Sequence, residues 1–248
     1  MVEHLSRGSI ESLNSPLARV VEVHDALAST QERARELARA GTPRGTLVVA
    51  EVQTGGRGRL GRHWGSPKGG LWMSLVLRPG FDASLASRIT QTAAVGVAKA
   101  LWEIGVEASI KWPNDLLAGG KKICGILAES SAEKSAGSSA ERRLDYVVLG
   151  VGMNANLDPA ALGVPDREVT TIRSELGRNV DLLDLLRTLL SNLDAELGRI
   201  EDFGAVLEGW RNLNSTLGEK VRVRRFGETI EGMAVDLSPE GALLLATP

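Results

Sequence analysis

The stretch GRGRLGR, residues 56 to 62, puts three arginines and three glycines into seven positions, a composition suited to gripping an anion. Glycine lets the backbone turn sharply and expose N–H groups, while Arg57, Arg59 and Arg62 supply forked cationic donors. Read from Gly56 it also satisfies G-x-G-x-x-G, the dinucleotide fingerprint. That reading needs a helix directly after the loop, because the pyrophosphate sits on the helix N-terminus. The following RHWGSPKGG carries Gly65, Pro67, Gly69 and Gly70, which forbid one. A P-loop fails as well, since no Lys-Ser/Thr pair closes the motif. What remains is a flexible loop fitted to a polyphosphate, with a solvated basic loop as the competing reading.

Three further features lie elsewhere along the chain. In KWPND, residues 111 to 115, Pro113 ends a strand and throws Asn114 and Asp115 into a turn. Beyond it, NDLLA and KKICGILAES flank Gly119-Gly120 and read as a hairpin that returns Lys122 toward Asp115. The two form either a carboxylate–ammonium pair useful in acyl transfer or an ordinary salt bridge. In STQE, Ser29 to Glu32, the S-x-x-E pattern predicts a capping box that opens a helix and leaves Thr30 available to a polar ligand. In GVGMN, residues 150 to 154, a buried strand ends in a turn carrying Asn154, whose amide either reads an adenine edge or closes the turn.

These residues need a scaffold, and the periodicity supplies one. VVEVHDAL, GTLVVAEVQT, GGLWMSLVLRP, EASIKW and LDYVVLGVGMN read as strands; STQERARELARAG and ASRITQTAAVGVAKALWEIG read as helices. Helical spacing returns from Leu182 to Leu213, and period two from Gly218 to the end, with turns at Phe226-Gly227 and at Ser238 to Gly241. Residues 1–19 read as a loosely held lead-in. The small, polar stretch 131–143 reads as a mobile surface loop. The expected organisation is a mixed α/β domain over 20–215, followed by a small all-β domain over 216–248.

Composition bounds the function. With 248 residues, 43% of them hydrophobic, and a net charge of −2, the chain can bury a large core and has no overall field favouring nucleic acid or acidic membranes. An anion site must therefore be a local basic cluster. The single Cys124 has no disulfide partner, and the apolar strand around it makes it a packing residue. His4, His24 and His63 have no metal-ligand spacing. No apolar run approaches the roughly 20 residues of a membrane span, and no signal peptide opens the chain, so a soluble cytoplasmic protein is expected.

In this order, STQ, EVQTGGRGRLGRHW, GGLWMSLVLRP, IKWPNDLL, KKICGIL and VLGVGMN resemble the catalytic domain of biotin–protein ligases, over roughly residues 20 to 215. The terminal β segment resembles that family's small SH3-like domain. The resemblance implies a mixed-sheet α/β fold shared with lipoate ligases and class II synthetase-like enzymes. It implies ATP, carried with Mg²⁺, and biotin as substrates, biotinyl-5′-AMP as intermediate, and a lysine of a biotin carboxyl carrier domain of acetyl-CoA carboxylase type as acceptor. Ser29, Thr30, Gln53 and the backbone at Gly125 would hold the ureido ring. Gly56, Arg57, Gly58 and Arg59 would close over the carboxylate and phosphates. Trp64 would pack on the adenine and Asn154 bond to it. Lys122 would bridge carboxylate and α-phosphate, and Asp115 would orient or deprotonate the incoming amine.

Some family features are absent or altered. Gln31 stands where Asn is common, a position expected to matter little because it belongs to the helix start. No helix-turn-helix precedes the catalytic part, so repressor activity and nucleic-acid binding are not expected. The ending LLLATP falls short of a last strand of the terminal domain, as a truncated chain would. The family includes monomers and homodimers, and the sequence does not choose between them. A lipoate or octanoate enzyme of the same fold is the nearest rival; an RNA- or DNA-binding regulator is a more distant one.

Overall fold

A computed structural model describes residues 5–80, 82–132, 143–164, 168–225 and 227–247. The loop expected over 131–143 therefore lies almost wholly outside the described residues. A seven-stranded sheet in the order β1-β2-β3-β7-β6-β5-β4 carries the structure. Its strands are β1 (Val20–Leu27), β2 (Thr46–Gln53), β3 (Leu71–Leu77), β4 (Ala108–Lys111), β5 (Asp115–Ala118), β6 (Lys121–Ala132) and β7 (Leu144–Met153). Only β1 and β2 run parallel, joined by the crossover helix α2 (Thr30–Arg39), and every other pair is antiparallel.

The near-continuous apolar runs of β2 and β3 reflect burial on both faces of the sheet. On one face Ala34 and Ala38 of α2 meet Val48, Val76, Tyr146 and Val148. On the other, Leu47, Val49, Leu75 and Leu149 join the main core with α3 (Ala86–Glu103), α5 (Leu182–Leu197) and α6 (Phe203–Leu213). A five-residue helix, α4 (Ile172–Leu176), precedes α5. Among the described residues no helix is long and apolar enough to cross a membrane.

Over its described residues, 5–19, the lead-in is not loosely held. Residues Arg7–Glu11 form α1, closed by a reciprocal Ser6–Ser9 capping box, and Ile10 and Leu17 are fully buried in the main core. Each such side chain stabilises its segment by about 2 kcal/mol, enough to hold a stretch that has few apolar residues.

Three antiparallel strands follow: β8 (Lys220–Arg225), β9 (Glu228–Leu237) and β10 (Leu243–Ala246). They are tied to the large sheet at the end of β4. Trp112 donates its N–H to Thr216 Oγ1 at 2.9 Å and its indole N–H to the Gly241 carbonyl at 3.3 Å. Ser215 N–H donates to the Ile110 carbonyl at 2.9 Å, and Arg211 of α6 forks onto Asp236 of β9 at 2.8 and 3.0 Å.

Candidate active site

Beyond the N-terminus of α2, the sheet face that this helix covers becomes a trough, because its next residues have no side chains. Gly125 on β6 pairs with Gly152 on β7, and Gly150 follows on the same face. A methyl group on Gly150 would come within 2.5 Å of Gln31 Oε1, and on Gly125 or Gly152 within 2.8 or 2.6 Å of the Trp64 indole. The trough widens into a cavity of about 800 Å³, within the range of small-molecule sites.

Ten of the twelve residues implicated from sequence line this cavity: Ser29, Thr30 and Gln53 at one end; Arg57, Gly58, Arg59 and Trp64 from the loop; Asp115, Lys122 and Gly125 from the hairpin. Gly56 lies just behind, accepting the Trp64 N–H at 2.9 Å and buried so tightly that a methyl there would sit 2.4 Å from the Trp64 carbonyl. Asn154 is 1% exposed, and its amide donates to the carbonyls of Thr170 at 3.0 Å and Lys122 at 3.4 Å. The amide thus ties the end of β7 to the segments at Lys122 and Thr170, and its Oδ1 is buried without a hydrogen-bond partner among the described residues.

Lys122 faces the cavity because of an irregularity in β6. Asp115 pairs with Gly125 and Leu116 with Cys124, but Leu117 pairs with Lys122, so Ile123 is an extra residue. Strict alternation would send Lys122 to the core side with Cys124. The bulge instead turns it onto the face of Asp115 and leaves Ile123 and Cys124 fully buried. The hairpin turn that precedes it has positive φ at both Gly119 (54°) and Gly120 (77°). Lys122 Nζ then sits 2.7 Å from Asp115 Oδ1 and 4.8 Å from the centre of a Trp64 ring. Both charged side chains are less than a third exposed.

The arginine loop runs from β2 back to β3 without a helical continuation, as its breakers require; Leu60, 88% exposed, forms its tip at φ 59°. It is pinned from two sides. Arg57 Nη2 lies 2.7 Å from Glu32 Oε1 on α2, and Arg59 donates to Asn114 Oδ1 at 3.1 Å. Asn114 in turn donates to the Ile126 carbonyl at 2.7 Å, fixing the KWPND turn to β6. Strand β8 adds Lys220 and Arg224 to the cavity wall, whose acidic lining residues among those described are Asp115 and Glu219. A protein of net charge −2 thus concentrates cations at one place.

Three expectations are corrected here. The capping box is incomplete: Ser29 Oγ accepts the Glu32 N–H at 3.4 Å, but the Glu32 carboxylate pairs with Arg57. Gln31 is not a bystander of the helix start. It is 4% exposed, donates to the Val148 carbonyl at 3.0 Å and to Glu129 at 3.1 Å, and accepts from Ser74 at 3.1 Å. Ser74, the one polar residue of the apolar run LWMSLVL, was missed; a lone hydroxyl in a fully buried strand was the available signal. Its hydroxyl also meets Thr30 Oγ1 at 2.9 Å. Thr30 is less available than expected, since its N–H and hydroxyl both contact Gln53 Oε1, at 2.8 and 3.0 Å. Gln53 donates onward to Ser66 at 2.8 Å, so this end of the cavity is held by a preformed polar network.

Cys124 is fully buried, and burial pushes its thiol pKa well above the ordinary range, which disfavours a thioester role. Among the described residues no three His, Cys, Asp or Glu side chains gather as a metal site would require.

A mixed sheet with a glycine trough, two cation-bearing segments converging over it and a small β module at its rim make a site suited to an anionic ligand. The chain belongs to the biotin/lipoate A/B protein ligase family, whose model matches residues 23–154; the biotin protein ligase C-terminal domain model matches residues 216–248. It is 37% identical to the bifunctional ligase/repressor BirA of Bacillus subtilis, over 90% of this chain and 68% of that protein. It is 32% identical to the biotin–[acetyl-CoA-carboxylase] ligase of Paracoccus denitrificans, over 89% of this chain and 91% of that one. Among solved structures it resembles the Aquifex aeolicus biotin protein ligase in complex with biotin and ATP, with TM-score 0.75, 30% identity and 92% of each chain covered.

Proposed function

We propose that this protein is an ATP-dependent biotin–protein ligase acting on a lysine of a biotin carboxyl carrier domain, as the acetyl-CoA carboxylase ligases do. The observation that carries the reading is the convergence of Arg57 and Lys122, from segments 65 residues apart, on one cavity floored by Gly125, Gly150 and Gly152.

In the first step a biotin carboxylate oxygen attacks the α-phosphorus of ATP, forming the acyl–phosphate bond of biotinyl-5′-AMP and releasing pyrophosphate. Two anions must approach one another, and charge grows on the phosphoryl oxygens in the transition state. Fixed cations offset both effects in a site partly shielded from water. Arg57 and Lys122, which both line the cavity, would do this work. Mg²⁺ would be carried chiefly by phosphate oxygens, because the nearby carboxylates Asp115 and Glu32 are already paired with Lys122 and Arg57. In the second step the acceptor amine attacks the biotinyl carbonyl, AMP leaves, and the amine proton goes to a base. Asp115 is the base or orienting group at the right place, and ligand anions that draw Lys122 away would free its carboxylate.

The network of Ser29, Thr30 and Gln53, with the backbone at Gly125, suits the ureido ring. Gly56, Gly58 and Arg59 belong to the loop that closes over the phosphates, shielding a hydrolysable adenylate. The adenine roles of Trp64 and Asn154 are the least preformed. The Trp64 indole lies over Gly125 and Gly152, so it must move for a ligand to use the trough. Its buried Nε1–H makes no hydrogen bond within the described residues.

The test supplies carrier domain, MgATP and either biotin or lipoate, and reads the mass of the carrier lysine. Biotin attachment with no lipoyl product is expected. Preferential attachment of lipoate or octanoate would transfer the assignment to the rival acyl group.

A further inference from the structure

Arg57 is the cation on which the loop's chemistry depends, yet little in its own segment holds it. It is exposed, its neighbours are glycines, and its side chain has several free torsions. Among the described residues its side chain pairs with Glu32, at 2.7 Å, in the first turn of α2. Glu32 occupies the position from which an S-x-x-E glutamate would reach back to the cap N–H, and there it is turned toward the loop instead. The closest approach is through one terminal nitrogen, Nη2, and the guanidinium has further N–H donors with which to face a ligand anion. The helix that carries Glu32 is anchored: Arg33 donates to both Glu22 carboxylate oxygens on β1 at 2.8 and 2.9 Å, and Gln31 is bonded across to β7.

We propose that Glu32 is a positioning residue for Arg57: it ties the mobile cation to the rigid start of α2, so that the anion-binding edge is aimed before ligand arrives. The physical gain is pre-organisation, since a side chain already confined loses less freedom when the transition state forms. The inference rests on the ligase reading and assigns that site a residue outside the loop and hairpin motifs.

The experiment is a double-mutant cycle of wild type, E32Q, R57M and E32Q/R57M. It reads single-turnover formation of biotinyl-AMP, which can be followed for hours and stays measurable in slow variants, together with thermal unfolding midpoints. With Arg57 present, E32Q should slow adenylate formation about tenfold with an unchanged midpoint. In the R57M background, E32Q should add nothing. An E32Q rate equal to wild type, the same loss in both backgrounds, or a lowered midpoint that accounts for the loss would overturn the proposal and return Glu32 to the helix. Should wild type form no adenylate at all, the ligase reading itself fails, which is distinct from an additive cycle in an active enzyme.

Discussion

At the scale of single residues, the site is a set of cations held ready by its own anions. Lys122 rests on Asp115 and Arg57 on Glu32; binding of carboxylate and triphosphate draws Lys122 onto substrate oxygens, while Glu32 keeps the ligand-facing edge of Arg57 turned toward them. Replacing Arg57 or Lys122 by Ala should lower biotin-dependent pyrophosphate release by about 10²-fold or more, the scale of a lost transition-state donor. Asp115→Asn should depress the transfer step more than adenylate formation, by about 10²-fold in single-turnover biotinylation of the carrier lysine. Equal losses in both steps would argue against a role at the amine. Cys124 should resist iodoacetamide in the native protein and react only on unfolding.

At the scale of elements, what the sequence revealed and what it hid follow from range. Strands β2, β3 and β7, the long helices and the Gly119-Gly120 hairpin are written in local periodicity and turn chemistry, and the structure has them. The Asp115–Lys122 pair was legible because a hairpin folds a short stretch back on itself. The bulge at Ile123 was not, since an extra residue on one strand shows only against its partner. Gln31 and Ser74 were misjudged or missed because their partners lie across the sheet, where one-dimensional reading has no access. Likewise α1 looked loose because its stability comes from a few fully buried contacts and not from composition. The trough yields its own expectation. Gly125→Ala would put a methyl 2.8 Å from the indole and into the ligand's path, so biotin should bind about tenfold more weakly in calorimetry. Biotin should also change the tryptophan emission as Trp64 moves, and Trp64→Phe should abolish that change; a full signal in the variant would place the reporter elsewhere.

At the scale of the whole molecule, the small β module and the catalytic sheet act as one unit. Trp112, one residue before the Pro-Asn-Asp turn, is bonded to Thr216 and Gly241, while β8 lines the cavity wall. Arg211 and Asp236 add an ion pair between α6 and β9, and the Arg211 guanidinium holds the Asp236 carboxyl below the usual range. A depressed folded-state pKa means that the pair's contribution is present above the unfolded carboxyl value of about 3.9 and fades as pH falls through the lower folded one. Wild type should therefore exceed Asp236→Asn in urea stability at neutral pH by a modest margin, given the pair's exposure, and the margin should shrink in strong acid. The most direct test of the central claim is to incubate the protein with biotin and MgATP and examine it by native mass spectrometry while measuring released pyrophosphate. Biotinyl-5′-AMP bound to the protein, with one pyrophosphate released per adenylate, is the expected result. Biotin binding without adenylate, or ATP cleaved to ADP and phosphate, would contradict it.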